Sequence, residues 1–322
     1  MYRKYFGLNF LPFKTTPELE MFYKHGSRQE ILDALLYTIT RGDGIIKVTG
    51  EVGSGKTMLL RLLAEQLPKE FEVIYINSPN LSAKDIVLSI SVELGVQIEG
   101  DLQKFTVVNG LKKQLLKIHS LGRKVVMLVD EAQSMTFDAL EELRLLSNLE
   151  TDSDKLLQMV LFGQPELDSI LEHEKIRQLK SRITYSIYVS PLLDSDVQAY
   201  LNYRMRKAGY EGLDVFNLNI SKDIQKLTKG LPRNINIIAD KILLSMFSVG
   251  DKLAKSKHLK NLPKLEGQEI KEPSKLGILI IALLLGVIFY LLFVLITSNK
   301  LHILSFKDRN HALTESGYNE VS

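Results

Sequence analysis

Through the first 190 residues, short apolar runs alternate with longer segments whose apolar positions fall three or four apart. The short runs predict strands and the spaced segments predict amphipathic helices. Strands are predicted at residues 44–49, 71–76, 124–129, 156–162 and 183–189. Helices are predicted at 58–67, where Pro68 ends the pattern, and around 82–94, 102–119 and 137–149. The run at 124–129 is almost wholly apolar, as expected for a strand buried on both faces. Strands separated by helices in this way imply a parallel sheet covered by helices.

After Pro191 the pattern changes. Residues 194–207, 221–229 and 234–247 read as helices with no strand between them, and Gly230-Leu231-Pro232 separates two of them. The expected organisation is an α/β domain over 1–190 followed by a small helical domain over 191–250. Residues 276–297 then form 22 positions with no charge, no proline and no side-chain amide. A bilayer core takes about 20 such residues as a helix, so this segment is expected to cross a membrane. Before it, the linker 251–275 carries Lys252, Lys255, Lys257, Lys260, Lys264, Lys271 and Lys275. After it, residues 298–322 carry only Lys300, Lys307 and Arg309. Basic flanks stay cytoplasmic, which predicts a cytoplasmic N-terminal part and a short tail on the far side. The lysine run also suits contact with anionic lipid or nucleic acid, or serves simply as a solvated linker that sets topology.

Composition narrows the picture. A length of 322 residues suggests about two domains. Hydrophobic residues at 45% and charged residues at 25% exclude wholesale disorder. Forty-one basic against 38 acidic residues leave +3, too small a balance to argue for nucleic acid, and no nucleic-acid partner is expected. With no cysteine, disulfides, thiolate catalysis and cysteine-ligated metals are excluded. The first residues contain no apolar run long enough for a secretory signal.

Gly50-Glu51-Val52-Gly53-Ser54-Gly55-Lys56-Thr57 fits the phosphate-loop pattern G-x-x-x-x-G-K-[ST]. A predicted strand precedes it and a predicted helix follows, which is the context the pattern requires. Gly50, Gly53 and Gly55 let backbone N–H groups close around a β-phosphate. The helix N-terminus adds its positive end. Lys56 is expected at the β- and γ-phosphates, and the Thr57 hydroxyl on Mg²⁺.

Asp130 and Glu131 end the most apolar strand. In open α/β sheets, ligands bind at the carboxyl ends of strands. Asp130 is therefore expected to hold Mg²⁺ through its water shell, and Glu131 to orient and polarise an attacking water. Phosphoryl transfer needs positioning and charge neutralisation more than covalent chemistry, so these few groups suffice. ATP and Mg²⁺ are the cofactors this reading expects.

The two motifs resemble those of the AAA+ ATPases. Further segments extend the likeness: Tyr5-Phe6-Gly7-Leu8 with Pro12-Phe13, then Asp130-Glu131-Ala132-Gln133 and the run from Leu143 to Thr151. Gly163-Gln164-Pro165-Glu166-Leu167 and Gly230-Leu231-Pro232-Arg233-Asn234-Ile235-Asn236 continue it. In order and spacing they resemble the GspA/ExeA family of secretion ATPases, over about residues 1–250. The MshM-type ATPases of MSHA pilus biogenesis are similar. The resemblance implies a P-loop AAA+ domain with a parallel sheet, a small α-helical lid domain and one C-terminal transmembrane helix.

It also implies roles by position. Gln164 corresponds to sensor 1, on the γ-phosphate side. Arg182 resembles the arginine finger offered to a neighbouring subunit, with Arg177 as a substitute. Arg233 resembles sensor 2, by which the lid touches the nucleotide. Residues 5–13 are expected near the adenine. Asn148 and Glu150 fit the family pattern without a physical account.

The implied assembly is a ring-type homo-oligomer at a bacterial inner membrane. Its partners would be inner-membrane secretion or pilus assembly proteins, and its tail would be periplasmic. ExeA-like proteins typically carry a peptidoglycan-binding domain beyond the span. The 25 residues after position 297 leave no room for one, so direct cell-wall binding is not expected. Two other readings stand beside this one: a DNA-linked ATPase resembling the TniB or MuB transposition helpers, and a nucleotide-gated scaffold with little turnover. Near-neutral charge and the apolar span oppose the first, and the intact Asp130-Glu131 pair opposes the second.

Overall fold

A computed structural model describes residues 2–24, 27–77, 81–97, 103–260 and 290 of the chain. Contacts divide the chain into residues 1–262 and 263–322. The second unit, with the apolar segment 276–297 and the tail 298–322, lies outside the described residues except for Tyr290. Among the described residues, no helix is long and apolar enough to cross a membrane.

Five parallel strands form one sheet in the order β2-β3-β4-β1-β5. They are β1 (Ile45–Thr49), β2 (Phe71–Ile76), β3 (Lys124–Val129), β4 (Gln158–Gly163) and β5 (Ile183–Tyr188). Every residue of β4 is buried, and so are the five apolar residues of β3. Inserting β4 between β1 and β3 sets three strand ends side by side: Thr49 pairs with Gly163, and Val129 with Leu161. All three ends point to the same edge of the sheet.

Successive residues of a strand face opposite sides, so each strand feeds two cores. Val125, Met127 and Val129 join one core with α4 (Ala83–Glu93), α5 (Lys104–Ser120) and α6 (Phe137–Leu146). The short helices α7 (Glu166–Leu171) and α8 (Arg177–Lys180) close the same side through Leu167 and Leu179. Val126 and Leu128 join the other core with α2 (Ser27–Arg41) and α3 (Lys56–Gln66). Local signals agree with these bounds. Ser82 and Asp85 make a capping box at the start of α4, and Thr136 caps α6 by accepting from the Ala139 amide at 3.2 Å.

After β5 come α9 (Asp194–Lys207), α10 (Leu218–Thr228), α11 (Pro232–Val249) and α12 (Ser256–Lys260), with no strand among the described residues. Proline at the start of α11 and left-handed Gly250 at its end are the residues that open and close helices most readily. A short N-terminal helix, α1 (Tyr2–Tyr5), packs on α11, with Tyr5 edge-on to Phe247.

One expectation changes here. Residues 251–260, read from sequence as the start of a basic linker, are folded onto the helices. Ala254 and His258 are buried, the Ala254 amide bonds the Val215 carbonyl at 2.9 Å, and His258 Nε2 lies 2.9 Å from the Asp251 carboxylate. Lys252 sits 3.5 Å over the Tyr5 ring. Residues 5–13, expected near a base, pack against this helical part. Phe6 meets Tyr210 and Phe13 meets Phe216, edge-on in both cases.

Candidate active site

The loop between β1 and α3 has the backbone its glycines predict at Gly53 (φ 79°) and Gly55 (φ 99°). At Gly53 a second reason applies. A Cβ there would lie 2.8 Å from Cβ of Arg233, at the start of α11. The Arg233 amide donates to the Gly53 carbonyl at 3.2 Å, so the helical part rests directly on the phosphate loop.

Lys56 is buried, and its ammonium donates to the carbonyl oxygens of Gly50 (2.7 Å) and Glu51 (3.1 Å). Burial pulls its pKa below the ordinary lysine value, while Glu131, Asp130, Glu51 and Glu166 oppose the shift. Ser54 Oγ is buried beside it with no hydrogen-bond partner among the described residues. A cradle with an unpaired hydroxyl, a lysine and left-handed glycines fits a phosphate group.

Asp130 and Glu131 follow β3 at the same edge. The Thr57 hydroxyl lies near enough to the Asp130 carboxylate to favour its charged form, and the Glu131 amide donates to Asp130 Oδ1 at 2.9 Å. Burial pushes the Asp130 carboxyl above the ordinary range, and the Thr57 hydroxyl and Glu131 amide only partly offset it. A buried carboxylate beside a hydroxyl is an oxygen donor set that suits Mg²⁺, which uses one or two protein ligands plus phosphates and water. Among the described residues no cluster of three or more His, Cys, Asp or Glu could hold a metal by itself. A divalent cation held here would share its ligands with a phosphate.

Glu131 behaves in the opposite way. Burial works against its charge, yet hydrogen bonds from Gln133 and Gln164 and the nearby Lys56 outweigh it. Its pKa ends below the ordinary glutamate value. Gln133 Nε2 lies 2.6 Å and Gln164 Nε2 3.0 Å from Glu131 Oε2. Glu131 is also one of two non-glycine residues with a positive φ among those described, at 53°. Such a backbone costs roughly 1–3 kcal/mol and occurs preferentially at functional sites.

Thus the structure brings Gly50 through Thr57, Asp130, Glu131, Gln164 and Arg233 to one place. An open cleft of about 380 Å³ is lined by Lys56, Thr57, Glu131 and Arg233 together with residues 14–18. A smaller, mostly apolar pocket with Phe22, Met58 and Leu192 adjoins Gly55, where a base would find apolar surface. Arg182 is not in the cleft. It immediately precedes β5, whose Ile183 pairs with Ile45 at the start of β1, at the opposite edge of the sheet. Five strand residues at about 3.3 Å each separate it from the phosphate loop. Its charge instead lowers the pKa of Glu150, behind the larger effect of Lys155. Arg177 is exposed at the start of α8.

Several contributors had no role assigned from sequence. Gln133 belongs to the Asp130–Gln133 segment but matches no general pattern. Tyr200 and Arg204 of α9 and Asn236 of α11 form a buried wall of the cleft. The Tyr200 hydroxyl donates to Asn236 Oδ1 at 2.7 Å and accepts from Arg204 Nη1 at 3.0 Å. Their signal was a spacing of four on α9, which core packing explains equally well.

Fold and site together define a P-loop protein of the AAA+ class. An AAA domain family model matches residues 39–171. The chain is similar to general secretion pathway protein A of Aeromonas hydrophila, to which it is 39% identical over 250 residues, 78% of this chain. It spans about half the length of that relative, 46%. The fold is also that of Aeropyrum pernix ORC2 (TM-score 0.54, 17% identity, 82% of this chain and 73% of that one). Pyrobaculum aerophilum Cdc6p is similar in the same way (TM-score 0.54, 18% identity, 81% and 74%).

Proposed function

We propose that the chain binds ATP with Mg²⁺ and hydrolyses it as a homo-oligomer. We propose further that it serves the assembly of an envelope secretion or pilus system from a bacterial inner membrane. The observation that carries the hydrolytic reading is the meeting of Thr57, Asp130 and an ionised Glu131 beside the phosphate loop. The secretion reading is supported by the relative's name. Anchoring is supported by the uncharged segment 276–297 behind a basic linker.

In this reading the loop amides and Lys56 bind the phosphates. Thr57 and Asp130 hold Mg²⁺, which when bound neutralises charge on the β- and γ-phosphates. Glu131, charged and held by two amides, accepts a proton from the attacking water. Gln164 stands close enough to Glu131 to register the γ-phosphate side. Arg233 reports nucleotide to α11, because its own amide bonds Gly53.

The test is Mg²⁺-dependent phosphate release by the full chain in membranes, beside Glu131→Gln and Lys56→Ala. Captured partners of the Glu131→Gln form are then identified by mass spectrometry. Turnover in the unmodified chain and secretion or pilus proteins on the stalled form are expected. Near-zero release in all three overturns hydrolysis in favour of a nucleotide-gated scaffold. DNA-processing partners, with tight and salt-sensitive duplex binding, overturn the envelope reading in favour of a DNA-linked one.

A further inference from the structure

The proposed hydrolysis requires a water held at one defined oxygen of Glu131, and a neighbouring side chain sets which oxygen that is. Gln133 lies in the one-turn helix Ala132–Ser134 after β3, in reach of both β3 and β4. Its Oε1 accepts from the Gln164 amide at 3.0 Å and its Nε2 donates to Glu131 Oε2 at 2.6 Å. The orientation of this amide follows from chemistry. A backbone N–H only donates, so the Gln133 atom facing Gln164 must be the oxygen, and the NH₂ must face the carboxylate.

Gln164 Nε2 donates to the same Oε2 at 3.0 Å. Two donors therefore converge on one carboxylate oxygen. No donor reaches Oε1 of Glu131 among the described residues. The site is also built around Gln133. A Cβ at Gly163 would come within 3.3 Å of Gln133 Oε1 and 2.7 Å of Leu167 Cδ2, so the strand end packs tightly against the amide. The left-handed backbone of Glu131 is then retained by contacts on its own side chain.

We propose that Gln133 is a positioning residue. It commits Oε2 of Glu131 to the two glutamine amides, leaves Oε1 as the oxygen that takes the water proton, and ties that choice to the end of β4. The proposal rests on the hydrolytic reading above. Because Gln133 Oε1 is bonded to the Gln164 main chain, a shift of the β4 end on the γ-phosphate side would turn the Glu131 carboxylate with it.

The experiment compares full chains carrying Gln133→Met, which keeps the length of the side chain without its amide, and Gln133→Glu, which keeps an acceptor for Gln164 but faces Glu131 with a like charge. Steady-state ATP turnover and binding of a fluorescent ATP analogue are measured for each. Small misplacements of a reacting group cost up to about 100-fold, so kcat should fall roughly 10- to 100-fold in both variants. KM and analogue affinity should stay within about threefold, since the phosphate loop is untouched. In a Glu131→Gln background, adding Gln133→Met should cause no further loss, because nothing remains to be positioned.

Wild-type kcat in both variants overturns the proposal. So does an equal further loss in the Glu131→Gln background, which marks a general structural role. If Gln133→Met alone loses analogue binding, Gln133→Glu decides by the same criteria, and loss of binding in both overturns the proposal. An unmodified chain without turnover overturns the hydrolytic reading and this inference together, whereas an active unmodified chain with active variants overturns this inference alone.

Discussion

At the scale of single residues, the phosphate loop divides labour between charge and shape. Lys56 is buried against two loop carbonyls. Lys56→Ala should abolish nucleotide binding, read as loss of fluorescent-analogue fluorescence. Glu131→Gln should keep that affinity and lower turnover by about 10²- to 10⁴-fold, the usual contribution of a general base. Gly53 tests shape alone. Gly53→Ala meets a left-handed backbone at 79° and a Cβ 2.8 Å away on Arg233. The backbone alone costs about 1–2 kcal/mol, so a melting temperature several degrees lower and weakened nucleotide binding are expected together. An unchanged melting temperature would show that α11 yields freely. The loop and Asp130-Glu131 were legible in the sequence because their residue types are forced by phosphate chemistry at fixed spacing. Gln133, Tyr200 and Asn236 were not, because an amide or phenol placed by tertiary packing leaves no periodic trace.

At the scale of elements, strands were the most legible. β2 and β3 have the predicted bounds, since burial on both faces leaves continuous apolar runs. The helix expected to continue to residue 149 stops at Leu146, where Ser147 folds its hydroxyl onto the Arg144 carbonyl at 2.6 Å and a turn to β4 begins. That turn accounts for Glu150, which bridges to Lys155 beside Arg182. The helix α2 escaped the strand–helix alternation because it precedes the first strand. Its stripe of Leu32, Leu35 and Ile39 is nonetheless fully buried under β1 and β4. Leu35→Ala should cost about 2–5 kcal/mol in denaturant unfolding, because a close-packed core relaxes only partly around a deleted side chain. A loss under 1 kcal/mol would mean that α2 is a loose cover rather than a structural layer.

At the scale of the whole molecule, the position of Arg182 decides how many copies make one active site. The cleft lies at the carboxyl edge of the sheet and Arg182 at the amino edge, separated by the length of β1 and β5. No rotamer of an arginine spans that gap, so within one chain Arg182 cannot neutralise charge on a γ-phosphate held at Lys56. Either it has no part in turnover, or it serves the cleft of a neighbour. The two cases separate in a mixing experiment. Arg182→Ala alone should keep nucleotide affinity and lose turnover by about a thousandfold or more, the usual contribution of an arginine finger. Lys56→Ala alone should lose turnover through lost binding. Mixed and allowed to exchange subunits, the two inactive chains should regain measurable phosphate release, because each Lys56→Ala subunit still offers Arg182 to an intact phosphate loop next to it. The recovery should vanish on dilution below the assembly concentration, since a site shared between chains exists only in the oligomer. Full activity of Arg182→Ala leaves the cleft complete within one chain, with Arg182 only an electrostatic neighbour of Glu150, and a mixture as inactive as its parts overturns the shared site.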